Sequence, residues 1–479
     1  MRGAHTVEQI RAAEASLMAE LPEGTLLQRA ATGLAIACAR RLVGVYGARV
    51  VLLVGSGNNG ADALWAGARL ARRGAAVTAV LAGEPVGDAV AALRAAGGRV
   101  GGADAVDAAD LVVDGMVGIG GRGPLRGLAT ELAVEGEHVV AVDLPSGVDA
   151  DTGAVSGPAV KAGLTVTFGT GKPGLYVGAG TRHAGIVELV DIGLGPHLAA
   201  APVLLLDAVD VAMRLPVRRP GGDKYTAGVV GIAAGSTQYT GAAVLATGAA
   251  LRAGAGMVRF AGVEHAAELV RAHWPEAVVT TVGAGDGAAV VKAGRVQSWV
   301  VGPGLGTDSD AAGVVEAVLA TDVPVLVDAD ALTLCAEHPE WLRDRSAPTL
   351  LTPHDREFER FGTAVGDDRI GAVRQLAHRL GVTVLLKGDA TIVSDGRRTF
   401  VNDTGSPVLA AAGTGDVLSG GCGALLAQGL DVVDAGAVGA YLHGVAGRLA
   451  ADGAATSASL VLEAWPEAVR RTSAGTMSS

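Results

Sequence analysis

Short apolar runs bounded by glycine or polar residues recur along the first part of the chain, at Val50 to Val54, Val77 to Leu81, Leu111 to Val113, Val139 to Val142 and Leu164 to Phe168. Each has the length of a strand. Segments between them, such as Ala61 to Arg73 and Asp88 to Ala96, suit helices. This alternation predicts a doubly wound parallel sheet covered by helices. Ahead of it, Thr6-Val7-Glu8-Gln9 has the form of a capping box, and Ile10, Ala13 and Leu17 continue an apolar helical face, which predicts an N-terminal helix.

The pattern relaxes around Gly193-Leu194-Gly195-Pro196, and residues 215–222 are rich in proline and glycine with no apolar period. A second series follows at Val229 to Ala233, Ser298 to Val301, Val323 to Val327, Thr349 to Leu351 and Val382 to Leu386, then a long helical region rich in Gly and Ala. The reading is an α/β protein with a Rossmann-like three-layer domain over residues 1–202 and a second α/β domain over 203–479. No fixed-period repeat relates the halves.

Composition narrows the function. The net charge of −11 and the absence of basic clusters beyond short arginine pairs argue against a nucleic-acid partner. Cys38, Cys335 and Cys422 are too few and too far apart for a disulfide framework or a zinc site. No signal-peptide pattern is present, because Glu8, Arg11 and Glu14 interrupt the start, so a cytoplasmic location is expected. Mean hydropathy is +0.39 and residues 226–251 carry no charge. Their interior holds Ser236-Thr237-Gln238-Tyr239-Thr240-Gly241, however, which predicts strand, loop and helix rather than a membrane span.

Three strand ends in the first domain carry polar residues. Gly55-Ser56-Gly57-Asn58-Asn59-Gly60-Ala61-Asp62 opens a helix after a strand, a geometry that suits an anion, yet its spacing departs from the dinucleotide fingerprint G-x-G-x-x-G. Asp114 precedes Gly118-Ile119-Gly120-Gly121-Arg122-Gly123, and Asp143 precedes Leu144-Pro145-Ser146-Gly147. Ligands gather at such ends in parallel sheets. Asp114, Asp143, Asn59 and Ser146 offer hard oxygens to a cation such as K⁺, and one carboxylate remains available as a base. Each Asp can equally serve as a turn or helix cap.

These residues resemble the NAD(P)H-hydrate epimerase family over about residues 1–200. The resemblance implies that Asn58, Asn59, Gly60, Ala61 and Asp62 touch a hydrated nicotinamide cofactor, joined by Gly118, Ile119, Gly120, Gly121, Arg122, Gly123 and Pro124. It implies that Asn59, Asp114 and Ser146 hold K⁺, that Asp143 binds substrate and acts as base, and that Lys172, in Phe168-Gly169-Thr170-Gly171-Lys172, lies at the site. Ala61 stands where the family has glycine.

In the second domain, Gly413-Thr414-Gly415-Asp416 precedes a helix predicted over 417–428, so backbone N–H groups and a positive helix end meet beside a carboxylate. Such a carboxylate can take the proton of a hydroxyl that attacks phosphorus, or simply favour the helix start. Lys387 ends a strand where it can neutralise phosphate. His354 either bonds substrate or caps a helix.

The set, with Gly235-Ser236, Tyr239 to Ala243, Gly302 to Gly306 and Asp328-Ala329-Asp330, resembles the ribokinase-like ADP/ATP-dependent NAD(P)H-hydrate dehydratases over about residues 203–479. The resemblance implies substrate contacts from Ala242, Ala243, Gly304, Gly306, His354 and Asp416. It implies nucleotide contacts from Lys387, Gly388, Asp389, Ala390, Thr391, Gly413, Thr414 and Gly415, with Mg²⁺ bound to ADP or ATP. Asp355-Arg356 and Ser406-Pro407-Val408 depart from the usual family residues. The implied chain interconverts R and S hydrates of NADH and NADPH (NADHX, NADPHX) and dehydrates the S form at the expense of ADP or ATP, with no membrane or nucleic-acid partner and assembly into a homo-oligomer. The rivals are a kinase for a vitamin precursor, whose product would be a stable phosphate ester, and a first domain that only binds a nucleotide or partner.

Overall fold

The computed structural model describes residues 1–85, 87–121, 123–217, 221 and 223–475. Part of the proline- and glycine-rich stretch expected at 215–222 therefore lies outside the described residues. The chain forms two compact units, one of Arg2–Val203 and one of Met1 with the chain from Leu204 onward.

The N-terminal unit begins with a short strand, β1 (Arg2–Ala4), whose Ala4 bridges Gly171. The helix Val7–Glu20 follows, with Thr6 and Gln9 completing the expected capping box. The strands β2 (Arg49–Val54), β3 (Ala76–Leu81), β4 (Arg99–Val100), β5 (Leu111–Gly115), β6 (Glu135–Val142), β7 (Lys161–Phe168) and β8 (Ile186–Val190) then form one sheet in the order β4-β3-β2-β5-β6-β7-β8. Every adjacent pair in this order is parallel. The apolar side chains fall on both faces, as a parallel sheet buried between helices requires. Val50, Leu52 and Val54 pack with Leu34, Leu64 and Leu70 on one face, and Val51 and Leu53 with Val112, Val139 and Leu132 on the other.

Chain order reverses between β2 and β5, which makes their C-terminal ends the switch point where a crevice opens. Val54 pairs with Gly115 and Asp114 with Ala141, so the ends of β2, β5 and β6 stand side by side. This register brings the three polar loops together.

The second unit contains β9 (Val203–Leu205), β10 (Val229–Ala233), β11 (Met257–Gly262), β12 (Val278–Thr281), β13 (Ser298–Val301), β14 (Val325–Val327), β15 (Thr349–Leu351), β16 (Thr383–Leu386), β17 (Thr391–Ser394) and β18 (Thr399–Asn402). They run in the order β9-β18-β17-β16-β15-β14-β13-β10-β11-β12. The sheet is parallel from β16 to β12, and β17 is antiparallel to both of its neighbours. Its switch point lies between β10 and β13, where Ala233 pairs with Val301, and the ends of β14 and β15 follow in register through Val327 and Leu351.

The helix Thr414–Ala427 lies close on this sheet because small residues face it. Gly423 has no side chain to meet Val300, and Ser298 Oγ donates to the Gly423 carbonyl at 2.8 Å. Among the described residues no helix is long and apolar enough to cross a membrane.

Candidate active sites at the strand ends

In the N-terminal unit the loops after β2, β5 and β6 border a cavity of about 1140 Å³. Asn58, Asn59, Ala61 and Asp62 line it from the helix Asn58–Arg72, Gly118, Ile119, Gly120 and Gly121 from the loop after β5, and Asp143 from the end of β6. Gly60 instead makes the turn possible, since a Cβ there would stand 2.3 Å from the Gly55 carbonyl oxygen. The chain continues through Gly123 to Pro124, which lies against Gly157. Arg122 lies outside the described residues.

Asp143 has φ +68, a left-handed conformation that Asp tolerates better than most residues. The turn aims Oδ1 at Lys172 Nζ, 2.5 Å away, and at the Phe168 N–H and Thr167 hydroxyl, 3.1 and 3.2 Å away. Lys172 is 1% exposed, and its ammonium also donates to Thr167 Oγ1 and to the carbonyls of Phe168 and Thr170. All these partners come from β7 and the Phe168–Lys172 loop. The pair is thus a largely buried ion pair held through Asp143 Oδ1.

Asp114 is fully buried one strand away. Its Oδ1 accepts from Ser146 Oγ at 2.6 Å and from Met116 N at 3.2 Å, and its Oδ2 accepts from Ser146 N at 2.8 Å. Burial pushes its carboxyl up to about 6 against the pull of those donors. Asn59 Nδ2 donates to the Val142 carbonyl, and Asn59 Oδ1 lies so near Gly118 that a Cβ there would stand 2.3 Å from it. Asn59, Asp114 and Ser146 therefore gather around the adjoining ends of β2, β5 and β6.

Two residues at this cavity carry no sequence signal. Arg11 and Glu14 project from the N-terminal helix into the lining, and on that helix they read as an ordinary polar face. Glu14 has its carboxyl raised by burial and by the charge of Asp143, with Lys172 and Arg11 opposing.

In the second unit the expected residues also converge on strand ends. Lys387 follows β16, and its Nζ donates to Asp328 Oδ1 at 2.9 Å and lies 3.7 Å from Glu357 Oε2. Burial works against its charge, but Asp328 and Glu357 outweigh burial and hold it above the usual lysine range. Asp328, 1% exposed, follows β14 and accepts from Ser419 Oγ at 2.7 Å.

The helix predicted from Val417 starts earlier, at Thr414 with Gly413 at φ +86, so Asp416 lies within its first turn. A Cβ on Gly415 would stand 3.5 Å from Lys387 Nζ, which places the lysine beside the helix end. Thr414 Oγ1 is turned back onto the carbonyls of Leu409 and Ala411, fixing the turn. Burial raises the Asp416 carboxyl to about 7, and the charges of Asp328 and Asp330 add to this while Lys387 opposes it.

His354 caps the helix Asp355–Glu359 in a reciprocal box with Glu357 and still leaves its side chain 49% exposed at the end of β15. Gly304 has φ +64 and packs against Tyr239 and Ala242, while the Gly306 N–H donates to Asp330 Oδ2 at 2.8 Å. Ala243 is buried beneath Gly235. Gly388, Asp389 and Ala390 connect β16 to Thr391, the first residue of β17, and Arg369 Nη2 reaches the space beside Gly388 while its guanidinium grips Asp355 at 2.7 and 2.9 Å. Asp328, Glu357, Ser419 and Arg369 were not among the expected contacts. Asp328 had a signal in its place at a strand end.

Aligned over 450 residues, the chain is 53% identical to the bifunctional NAD(P)H-hydrate repair enzyme Nnr of Mycobacterium tuberculosis, covering 91% of this chain and 92% of that one. The chain belongs to the bifunctional NAD(P)H-hydrate repair enzyme family. The Mycobacterium leprae protein of the same name is 51% identical over 464 residues, 94% of each chain. The family model for NAD(P)H-hydrate dehydratase matches residues 230–466, and the model for the YjeF-related protein N-terminus matches residues 23–174.

Solved structures agree on the fold of the second unit of this repair-enzyme chain. A ribokinase-like superfamily protein from Enterococcus faecalis superposes with a TM-score of 0.52 at 26% identity, covering 57% of this chain and 98% of that one. An ADP/ATP-dependent NAD(P)H-hydrate dehydratase from Bacillus subtilis, co-crystallised with ATP and Mg²⁺, gives 0.50 at 29% identity, covering 56% and 97%. The fold is thus Rossmann-like in the first unit and ribokinase-like in the second.

Proposed function

We propose that the N-terminal unit interconverts the R and S hydrates of NADH and NADPH and that the second unit dehydrates the S form using ADP or ATP. The observation that carries the reading is Asp416 in the first turn of a glycine-led helix with Lys387 beside it, a base next to an anion hole.

In the second unit Asp416 takes the proton of the C6 hydroxyl as its oxygen attacks the terminal phosphorus, and AMP or ADP leaves. The N–H groups of Gly413 and Gly415 hold the transferred phosphoryl oxygens, the positive helix end adds to them, and Thr414, whose N–H donates to the Ala411 carbonyl, fixes the turn between them. Phosphate then departs from C6 with a proton from C5, restoring the double bond. Lys387 neutralises nucleotide phosphate, with Gly388, Asp389, Ala390 and Thr391 forming the nucleotide wall. Ala242, Ala243, Gly304, Gly306 and His354 border the hydrate. Mg²⁺ bound with the nucleotide would screen phosphate charge, adding to what Lys387 does from the protein side.

In the N-terminal unit Asp143 binds the hydrate and acts as base, Lys172 pairs with Asp143 and fixes its orientation, and the Asn58–Asp62 and Gly118–Pro124 loops clasp the cofactor. A monovalent cation fits among Asn59 Oδ1, Asp114 and Ser146 Oγ. The donors are hard oxygens carrying one formal charge, and the Asp114 carboxylate among them is buried and pairs with no cation among the described residues. Among the described residues no three His, Cys, Asp or Glu side chains form a metal cluster, so a transition metal does not suit the set.

The test mixes the protein with both NADHX epimers, Mg²⁺, K⁺ and ADP or ATP, following NADH absorbance and resolving the epimers by chromatography. Both epimers are expected to convert to NADH. Loss of the S form alone would remove the epimerase reading, and a stable phosphate ester without NADH would replace the dehydratase with a simple kinase.

A further inference from the structure

Two of the carboxyl groups that line the N-terminal cavity differ in their hydrogen bonding. Asp143 is bound by an ammonium and two further donors. Asp62, on the first turns of the helix Asn58–Arg72, lines the same cavity, is 6% exposed, and has an Oδ1 that is buried with no hydrogen-bond partner among the described residues. An ionised carboxylate in that position would be desolvated without compensation, whereas a neutral acid needs fewer donors and carries an O–H of its own. Burial, followed by the charges of Asp143 and Glu14, accordingly raises its carboxyl well above the ordinary range. Among the described residues, Lys172 is saturated by Asp143 and three other oxygens, and the charge of Arg11 acts on Glu14. A carboxyl held by donors beside one left without them suits a base next to an acid.

Resting on the epimerase reading of this unit, we propose that Asp62 is the general acid that protonates the departing C6 hydroxyl of the hydrate, with Asp143 as the base for the returning water. C6 bears its hydroxyl on a carbon bonded to the ring nitrogen N1. Asp62 gives its proton to that oxygen, the C6–O electron pair leaves with it as water, and the N1 lone pair forms a C6=N1 double bond. Water then adds to the other face of C6, the double-bond pair returns to N1, and the surplus proton goes to Asp143. Exchange with solvent restores Asp62 as acid and Asp143 as base. One water leaves, one enters, and no redox change occurs.

The experiment uses the full-length protein without nucleotide, starting from R-enriched NADHX in ¹⁸O-water, with epimers resolved by chromatography and weighed by mass spectrometry. The wild type is expected to incorporate one ¹⁸O per inversion above the enzyme-free rate. Asp62→Asn keeps the shape and neutrality of the side chain but cannot donate an acid proton. It is expected to lower kcat for inversion by about 100- to 10,000-fold, with KM changed less than threefold and with dehydration of the S form unaltered. Asp62→Glu should recover part of the loss. A kcat within threefold of wild type, a defect confined to KM, or inversion with the original oxygen retained would each overturn the proposal. Oxygen exchange in the wild type needs no variant, so a poorly folding variant leaves the proposal refutable. Failure of the wild type to invert at all would instead refute the epimerase reading.

Discussion

Lys172 Nζ stands 2.5 Å from Asp143 Oδ1, with the two side chains only 1% and 8% exposed. With so little exposure each charge depends largely on the other. Breaking a buried pair from one side costs about 3–5 kcal/mol. Lys172→Met should therefore speed amide exchange across residues 49–168 by an amount matching that loss, read by hydrogen-exchange mass spectrometry. Asp143→Asn should cut epimer inversion at least about 100-fold.

Asp416 acts as a base only when ionised, and its carboxyl is held up to about 7. Below that pH the neutral form dominates, so kcat/KM for dehydration should fall about tenfold per pH unit on the acid side and level off above pH 8. Asp416→Asn should abolish the limb together with about 100- to 10,000-fold of the rate while inversion of the epimers continues. A flat profile between pH 5.5 and 8 would remove Asp416 as the base.

Asp114 makes cation binding visible without any turnover. Its carboxyl is raised from 3.8 to about 6, so the folded chain binds the extra proton between those values and stability falls as pH rises through that window. The cost above pH 6 is about 3 kcal/mol. A cation at Asn59, Asp114 and Ser146 offsets it only when the carboxyl is ionised. Replacing choline chloride by KCl should raise the N-terminal unit's melting temperature at pH 7.5 and change it little at pH 4.5. Equal effects at both pH values would place K⁺ elsewhere.

The strands were legible where they are central and apolar on both faces, as β2, β5, β10 and β13 are. Those that sequence reasoning passed over lie toward sheet edges or carry a charge in mid-strand. Glu188 interrupts β8, and Arg259, which reaches the Ala293 carbonyl, interrupts β11. The same limit governed the sites. Glycine turns and aspartates at strand ends announce themselves because few other roles demand that spacing. Arg11, Glu14 and Glu357 are polar residues on helices, and only the tertiary fold turns them toward a cavity or a lysine.

Cys38, Cys335 and Cys422 are all buried, and burial lifts the first two thiols to about 12 and the third beyond that range. A thiolate is the reactive form. In native buffer none should react with a thiol reagent over minutes, while all three should react in guanidinium chloride. Rapid labelling of a native thiol would show local opening around it.

Ala329 sits between the two acidic residues of the second site with φ +50 and ψ −119, a backbone region that a side chain resists by about 1–3 kcal/mol. The turn delivers Asp328 to Lys387 and Asp330 to the Gly306 N–H. Selection for heat resistance alone would reach for glycine at this position, since it relieves the strain outright. The loosened turn would then let both carboxylates wander, so a lineage adapting to higher temperature must find its stability elsewhere or lose turnover.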